Sequence, residues 1–353
     1  MKPLRIGFLS TAGIGRKNWK AIFHSGNAMV AAVASRDVQK SHTFIEGCQQ
    51  EFPFTPTPQA FGSYEALIAA PEVDAIYIPL PTGLRKEFVL RAAAAGKHVL
   101  CEKPCAANLA ELEEMLAACK RHSVQFMDGV MFMHNPRLEP LRAVLDDGQS
   151  LGQLQRMSSA FSFHIGDDFF RTNIRVDSAL EPAGCLGDLG WYSIRFFLWA
   201  LRWQLPRRVT AQILAQSESG APTEFSAELF FDNGISAEFY CSFLTAKQQW
   251  ASVGGRNGWL RMPDFIHPRN GYQPTFELNG ADVCVDSGAP CPPGADPAGY
   301  GHATAQDTRM IRHFAQQIAS GSLNDDWPHW ARQTQRVLDA CLAAGRGGNS
   351  VDL

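Results

Sequence analysis

The sequence predicts two domains, an α/β domain built on a parallel sheet and then an α+β domain built on a mostly antiparallel sheet. The chain has 353 residues, enough for about two domains of roughly 150 residues each. Up to about residue 135, short apolar runs alternate with helical patterns, whereas strand-like runs joined by brief turns dominate from Leu154 onward. We therefore expect one domain over residues 1–134 and a second over residues 135–353.

The first domain is predicted from the alternation of its strands and helices. Its apolar runs lack polar alternation, which is typical of parallel strands covered on both faces and joined by right-handed crossovers. Asp37 stands where a helix N-cap is expected. The predicted strands are LRIGFLS, MVAAVAS, DAIYIPLP, KHVLCE and VQFMDGVMF, and the predicted helices cover residues 16–24, 37–52, 63–70, 84–95 and 108–122.

The second domain is predicted from strands that follow one another closely. Brief turns such as Asp232-Asn233-Gly234 and Asn257-Gly258 favour antiparallel pairing of the strands that they join. The predicted strands are QRMSSAFSFHI, RRVTAQILAQS, FSAELFF, ISAEFYCSF, QWASVGG and WLRMP, the predicted helices cover residues 187–201, 304–319 and 329–344, and a loop rich in proline and glycine covers residues 287–301.

Composition excludes several classes of function. Lysine and arginine number 32 against 35 aspartates and glutamates, a formal net charge of −3, so no global positive field attracts nucleic acid or an anionic membrane. The nine cysteines are scattered without a CxxC pair, which is typical of reduced thiols. We read no export signal at the start and no apolar stretch of membrane-spanning length, and we therefore expect a cytoplasmic protein.

We expect no catalytic metal. His164 with Asp167 and Asp168 lies in a predicted turn, and no spacing of cysteine and histidine is typical of a zinc site. The expected partners are a small molecule and further copies of the chain.

A turn of small residues follows the first predicted strand and opens the first helix. Such a turn lets backbone N–H groups approach a pyrophosphate, which the helix N-terminus stabilises. An ordinary strand-to-helix turn also uses small residues, but here a second strand ends about 20 residues further on, as in dinucleotide-binding domains. The predicted cofactor contacts in this turn are Ser10, Thr11, Ala12, Gly13 and Ile14.

The end of the second strand favours NADP over NAD. An NAD enzyme usually places an acidic residue here for the ribose hydroxyls, whereas this chain has Ser35 and Arg36. A guanidinium can bind a 2′-phosphate through two hydrogen bonds, and the serine hydroxyl can donate another. The alternative is that Arg36 is a solvated surface residue and Asp37 binds the ribose of NAD, although Asp37 is better explained as a helix cap.

The motif Glu102-Lys103-Pro104, in AGKHVLCEKP, resembles the E-K-P motif of the glucose-fructose oxidoreductase / inositol dehydrogenase (Gfo/Idh/MocA) family. The first turn, the segment DAIYIPLPTGLR and the helix GCLGDLGWYSIRF are similar to further motifs of that family. The resemblance implies a Rossmann domain followed by an α+β domain with an open sheet. It also implies a homo-oligomer, a dimer or tetramer, formed through that sheet, with the last helices packing back toward the first domain.

The resemblance also implies roles for individual residues. Lys103 corresponds to the catalytic lysine of the family. The implied cofactor contacts near the E-K-P motif are Leu80, Pro81, Thr82, Arg85, Glu102 and Lys103, and the implied substrate contacts are Asn135, Phe163, Arg175 and Tyr192. The chain departs from the family at Thr82 and Arg85, where many members have asparagine and histidine, so Arg85 is a candidate phosphate contact. Arg175 is equally well explained as part of a surface ion pair.

Proton transfer is expected to involve Lys103, Asp188 and Tyr192. Lys103 follows a strand of the parallel sheet, at the end where such sheets bind ligands. Asp188 and Tyr192 are four residues apart on a predicted helix and so share one face. Because a phenol is mostly protonated at neutral pH, we expect the Lys103 ammonium and the cationic nicotinamide to favour its ionised form. Asp188 would orient the array, and either Tyr192 or Lys103 is the principal acid and base.

Each of these residues also has a purely structural explanation. Lys103 could be a surface lysine in a loop, Asp188 an acid favoured by the helix dipole, and Tyr192 a core tyrosine. The leading prediction is an NADP-dependent oxidoreductase acting on a secondary alcohol or lactol carbon of a small sugar or cyclic polyol. The alternatives are a trans-dihydrodiol dehydrogenase, a redox-neutral NAD-dependent glycosidase and a nucleotide-sensing regulator without catalysis.

Overall fold

A computed structural model describes residues 2–164, 166, 173–298 and 301–353 and divides them into two compact units. The first unit takes its described residues from 2–105, 110–135 and 291–329. The second takes them from 106–109, 136–290 and 330–353. The predicted domain ranges each run without a break, whereas the first compact unit also includes residues 291–329 from the later part of the chain.

The first 135 residues form alternating strands and helices. The strands are β1 (Leu4–Leu9), β2 (Ala28–Ala34), β3 (Gln59–Phe61), β4 (Ala75–Ile78), β5 (His98–Cys101) and β6 (Phe126–Asp128). The helices are α1 (Gly13–Ser25), α2 (Val38–Gln49), α3 (Tyr64–Ala69), α4 (Thr82–Ala94) and α5 (Leu109–Arg121), and a 3-10 turn, Met131–His134, follows β6. Asp37 caps α2 by accepting a hydrogen bond from the Gln39 amide at 2.9 Å, as its position in the sequence predicts.

The sheet of the first unit has the strand order β3-β2-β1-β4-β5-β6, and all of its neighbours are parallel. The predicted parallel α/β sheet is therefore confirmed. The order reverses between β1 and β4, which is the position where open parallel sheets bind ligands beyond the carboxyl ends of their strands.

The described residues after 135 form the second sheet and four α-helices. The strands are β7 (Leu154–Ser162), β8 (Arg208–Gln216), β9 (Pro222–Phe230), β10 (Ser236–Ser242), β11 (Gln248–Gly255), β12 (Trp259–Met262), β13 (Thr275–Leu278), β14 (Ala281–Cys284) and β15 (Val351–Asp352). The helices are α6 (Leu138–Asp146), α7 (Trp191–Ala200), α8 (Gln306–Ala319) and α9 (Asp326–Gly347).

The second sheet is mostly antiparallel, as predicted. Its order is β14-β13-β12-β11-β7-β10-β9-β8-β15, and β7 with β10 is the parallel pair. β7 pairs with β10 and β11 rather than with its neighbour in sequence, β8, so distant segments decide the centre of this sheet. Within the described part of the chain, none of the helices has the length and apolar character that a membrane crossing requires.

One predicted helix differs in its internal geometry. Residues 187–201 were expected to form a single α-helix, but a π-helical turn, Leu186–Gly190, precedes α7. Asp188 lies in this π-turn and Tyr192 lies in the first turn of α7. Such π-turns occur frequently at functional sites.

Candidate functional site

The turn after β1 has room for a phosphate group. Ser10 has a φ of 128°, and its Oγ accepts a hydrogen bond from the Ala12 amide at 3.2 Å. No side chain among the described residues caps α1, and a Cβ added to Gly13 would meet no described atom within 4 Å. The Gly15 amide donates to the Ala12 carbonyl at 2.8 Å, and the space beside Gly13 at the start of α1 is open among the described residues, a favourable environment for an anion. The other predicted contacts of this turn, Thr11 and Ile14, are half-buried and exposed respectively.

The end of β2 presents one exposed cation. Ser35 is buried and donates its amide to the Phe61 carbonyl at 3.2 Å, whereas Arg36 is exposed. Burial raises the pKa of Tyr64, and the charge of Arg36 acts in the opposite direction, so Arg36 lies near that ring. Asp37 is engaged as the cap of α2. An exposed guanidinium at this strand end suits a 2′-phosphate.

Arg85 ties together the loops that follow β4 and β5. It lies on α4 and is 5% exposed. Its Nε donates to the Leu80 carbonyl at 2.7 Å, and its Nη1 donates to the carbonyls of Glu102, at 3.0 Å, and Pro104. We call this arrangement the Arg85 clamp. These contacts are with main-chain oxygens, and the predicted phosphate contact of Arg85 stays a prediction.

A buried hydrogen-bond network holds the side chain of Glu102. Tyr77, on β4, donates its hydroxyl to Glu102 Oε1 at 2.7 Å. Asn18, on α1, donates its Nδ2 to the Tyr77 hydroxyl at 2.6 Å and to Glu102 Oε1 at 3.4 Å. Burial, followed by the charge and hydrogen bond of Glu102, raises the pKa of Tyr77 well above its ordinary value. Tyr77 therefore remains a neutral donor.

Lys103 is half-buried between these two anchored points. It directly follows Glu102 and is joined to Pro104 by a cis peptide bond. Pro81 and Thr82 form the start of α4, and Leu80 and Thr82 are both buried. The structure thus brings Leu80, Arg85 and Glu102 together around Lys103.

The second unit brings Asp188 and Arg175 together. Arg175 Nε lies 2.9 Å from Asp188 Oδ2, and the Arg175 side chain is 42% exposed. The ring of Tyr192 packs edge-on against Phe161, with the ring centroids 5.7 Å apart. Phe163 packs against the same Phe161 ring at 5.9 Å. Arg175 therefore forms an ion pair, as the second explanation of this residue predicts, and its partner is Asp188.

Asn135, the remaining predicted substrate contact, lies in the first unit. Its Nδ2 donates to Gln306 Oε1, on α8, at 2.9 Å, and both residues are buried. The neighbouring His134 Nδ1 lies 2.9 Å from His313 Nδ1 on the same helix. The turn after β6 is thus held by polar contacts to α8.

Sequence reasoning missed Asn18, Tyr77 and Gln306. Tyr77 could have been found from the sequence. It is a tyrosine within the apolar strand DAIYIPLP, and a buried hydroxyl needs a hydrogen-bond partner. Gln306 lies 171 positions from Asn135, and no local pattern reports such a contact. Among the described residues no group of three metal-ligating side chains occurs, and Asp167 and Asp168 lie outside the described residues.

Two family models match the chain. The first, an oxidoreductase family with an NAD-binding Rossmann fold, matches residues 4–130. The second, a GFO/IDH/MocA C-terminal domain, matches residues 139–261. Together they cover most of both units.

Curated relatives include two kinds of dehydrogenase. The D-xylose 1-dehydrogenase (NADP(+)) 2 of Haloferax volcanii is 30% identical over 355 residues, covering 99% of this chain and 100% of the relative. The trans-1,2-dihydrobenzene-1,2-diol dehydrogenase of Mus musculus is 32% identical over 269 residues, covering 75% of this chain and 76% of the relative.

Solved structures share the fold. A 3-ketoreductase from Actinomadura kijaniata, in complex with NADP and TDP-benzene, has a TM-score of 0.82 and 24% identity, covering 97% of this chain and 98% of that one. An aldose-aldose oxidoreductase from Caulobacter crescentus, complexed with glycerol, also has a TM-score of 0.82 and 24% identity, with full coverage of both chains. At this identity the likeness establishes the fold alone.

Proposed function

The chain belongs to the Gfo/Idh/MocA oxidoreductase family, and from that premise we propose that it is an NADP-dependent oxidoreductase of small sugars or cyclic polyols. The reaction moves a hydride between nicotinamide and a secondary alcohol or lactol carbon. One observation carries the proposal. The E-K-P lysine, Lys103, follows β5, which adjoins β4 at the sheet's reversal point, where the start of α1 at Gly13 is open.

The residues beyond β1 and β2 fit NADP. The first-turn amides of α1 would bind the pyrophosphate, with Gly13 leaving space for its approach. Arg36 would bind the 2′-phosphate with two hydrogen bonds, and Ser35 would add a third. When bound, the nicotinamide supplies the acceptor or donor of the hydride. The name of the Haloferax volcanii relative specifies NADP, which supports this choice over NAD.

Lys103 and Tyr192 are the proposed proton-transfer groups. Tyr192 Oη would take the proton from the substrate hydroxyl during oxidation and return it to the carbonyl oxygen during reduction. Lys103 is the alternative group, whose ammonium would donate that proton itself. Asp188, paired with Arg175, would orient Tyr192 of the same unit.

A second candidate is oxidation of a trans-dihydrodiol. The Mus musculus relative named for that reaction is 32% identical over three-quarters of this chain. Both candidates require the same proton transfer at a secondary hydroxyl, so the chemistry of Lys103 and Tyr192 does not separate them. The two reactions differ in the shape of the substrate ring, so a comparison of substrates separates them.

A substrate panel tests the proposal. Aldoses, inositols and trans-dihydrodiols are incubated with NADP and with NAD in parallel, and the absorbance of the reduced nicotinamide is followed. We expect turnover of an aldose or cyclic polyol with NADP. A tenfold or greater preference for NAD would contradict the assignment of Ser35 and Arg36.

Two other outcomes identify different functions. Release of sugar from glycosides without net reduction of the nicotinamide would indicate a redox-neutral glycosidase. Tight NADP binding with no turnover, and biological activity that survives Lys103→Ala, would indicate a nucleotide-sensing regulator.

The predicted homo-oligomer and cytoplasmic location belong to the same proposal. Light scattering coupled to gel filtration measures the first. A dimer or tetramer is expected, and a monomer at micromolar concentration would contradict it.

A further inference from the structure

We propose that Arg85 is a positioning residue for Lys103, holding the main chain on both sides of the lysine instead of binding the cofactor's phosphates. The catalytic part of this inference rests on the proposed function. The structural part, that the Arg85 clamp restrains the segment from 102 to 105, can be tested without any turnover. We call that segment the Lys103 loop.

The geometry of the clamp supports this role. The two carbonyls that Nη1 contacts belong to Glu102 and Pro104, the residues immediately before and after Lys103. The third carbonyl, that of Leu80, follows the neighbouring strand β4. One guanidinium therefore fixes the Lys103 loop to the loop after β4.

The chemistry of the side chain suits this task. A guanidinium presents several N–H donors in a rigid plane, so it can contact three carbonyls from one position. A lysine ammonium is a point charge on a flexible stem and cannot reproduce that geometry. The side chain is also buried, so water does not readily replace the bonds that it makes.

The adjoining contacts restrain the loop from the other side. The Glu102 amide donates to the Ile78 carbonyl at 3.2 Å, and the Glu102 carboxylate accepts from Tyr77 and Asn18. The start of the Lys103 loop is thus held by β4 and α1. The Pro104 end is held by Arg85, so loss of the guanidinium should release the lysine backbone in particular.

The experiment compares Arg85→Gln and Arg85→Lys with a matched control, Arg91→Gln. Arg91 lies on the same helix, but its guanidinium pairs with Glu65 and Glu87 at the surface. Hydrogen exchange measured by mass spectrometry reports opening of peptides covering residues 101–106. Quenching of tryptophan fluorescence by added NADP gives the cofactor Kd, and steady-state kinetics with the substrate found in the panel gives kcat and KM.

We expect both Arg85 variants to exchange at least tenfold faster in the Lys103 loop, with the control unchanged. The NADP Kd should stay within about threefold of the parent, because the clamp faces carbonyls. The value of kcat should fall about a hundredfold, the scale of a small misplacement of a catalytic group. In a Lys103→Ala background the same Arg85 substitutions should have less than about a twofold effect, because the residue that they position is gone.

Three results would overturn the inference. One is unchanged exchange in the Lys103 loop of folded Arg85 variants. Another is a Kd for NADP that weakens tenfold or more in Arg85→Gln and recovers in Arg85→Lys, which indicates phosphate binding. The third is an equal loss of kcat with and without Lys103. If Arg85→Gln does not fold, Arg85→Lys carries the exchange and kcat measurements, and these two decide the inference. Absence of turnover by the parent protein would count against the proposed function. The exchange and Kd measurements would still test whether Arg85 restrains the Lys103 loop.

Discussion

The two segments that carry the proposed proton chemistry are held by different kinds of interaction. The Lys103 loop, in the first unit, is restrained by buried hydrogen bonds from Arg85, Tyr77 and Asn18. In the second unit, Tyr192 is held by packing against Phe161, and Asp188 by an ion pair with a partly exposed arginine.

The difference indicates how strongly a single substitution should destabilise each segment. Removing one donor from a buried polar network leaves a desolvated acceptor without a bond, which costs about 1–3 kcal/mol. A partly exposed ion pair contributes about 0–1 kcal/mol, because solvent screens it. Single-atom changes should therefore disturb the Lys103 loop more than the segment around Asp188.

The largest effect is expected from removing the lysine itself. Lys103→Ala should lower kcat about a thousandfold, within the range that acid–base catalysis contributes. Its matched control is Lys86→Ala, which removes a lysine that pairs with Glu114 on the surface. Steady-state kinetics measures both. Equal activities of the two variants would show that Lys103 has no catalytic part.

The next effect concerns the second unit. Tyr192→Phe keeps the ring against Phe161 but removes the hydroxyl, so we expect kcat to fall about a hundredfold. The pH dependence of kcat should change with it. If Tyr192→Phe has the same kcat as the parent protein, Lys103 is the principal acid and base.

A third variant compares the two kinds of environment directly. Tyr77→Phe removes the donor to Glu102 in the buried network and should lower the free energy of unfolding by about 1–3 kcal/mol. Tyr240→Phe is the control, since it also removes a hydroxyl bonded to a glutamate, Glu224, but at a half-buried position. Urea denaturation measures both. A greater loss for the control would reverse the comparison.

A smaller effect is expected at Asp188. Asp188→Asn removes the charge that pairs with Arg175, and a partly exposed ion pair of this kind contributes about 0–1 kcal/mol to the unfolding free energy. We expect kcat/KM to fall about tenfold if Asp188 orients the proton-transfer groups. Arg175→Gln separates the two roles, because it removes the same ion pair and leaves the carboxylate in place. If Asp188→Asn has the same kcat/KM as the parent protein, the role of Asp188 is structural.

The smallest effect is a pH dependence of the first unit. Burial lowers the pKa of His98 and of His313, where Arg309 and Arg312 add to the effect. As the pH falls through the ordinary histidine pKa of about 6.5, the unfolded state binds protons first, so this stability is present above that pH and is lost below it. The geometry agrees, since His98 Nδ1 accepts from the Gln125 amide at 2.9 Å and a protonated imidazole cannot accept.

Hydrogen exchange at pH 7.5 and pH 5.5, corrected for the intrinsic rate, measures this effect. Peptides of β5 and α8 should lose protection at the lower pH, and peptides of β8 to β10 should keep theirs. His98→Gln keeps an acceptor that does not titrate, and it should abolish the change in β5. Equal loss of protection in both units would indicate global acid unfolding instead.

Much of the first unit was predictable because its signals are local. The apolar strands, the turn at Ser10 to Ile14 and the cap at Asp37 each depend on residues close in sequence. The segment AGKHVLCEKP likewise indicated a strand followed directly by Lys103, and Lys103 does follow β5. By contrast, β13, β14 and α6 were missed, because short elements with weak periodicity resemble loops.

The sequence by itself determined the order of elements, the parallel sheet and the segments that carry the candidate chemistry, because helix and strand periods and turn residues act over a few positions. Only the tertiary structure decided that residues 291–329 join the first unit, that β7 pairs in parallel with β10, and that Arg85 faces carbonyls. These outcomes depend on which distant groups become neighbours once the chain packs. A buried guanidinium binds whichever acceptors the fold brings within reach, and no local pattern records them.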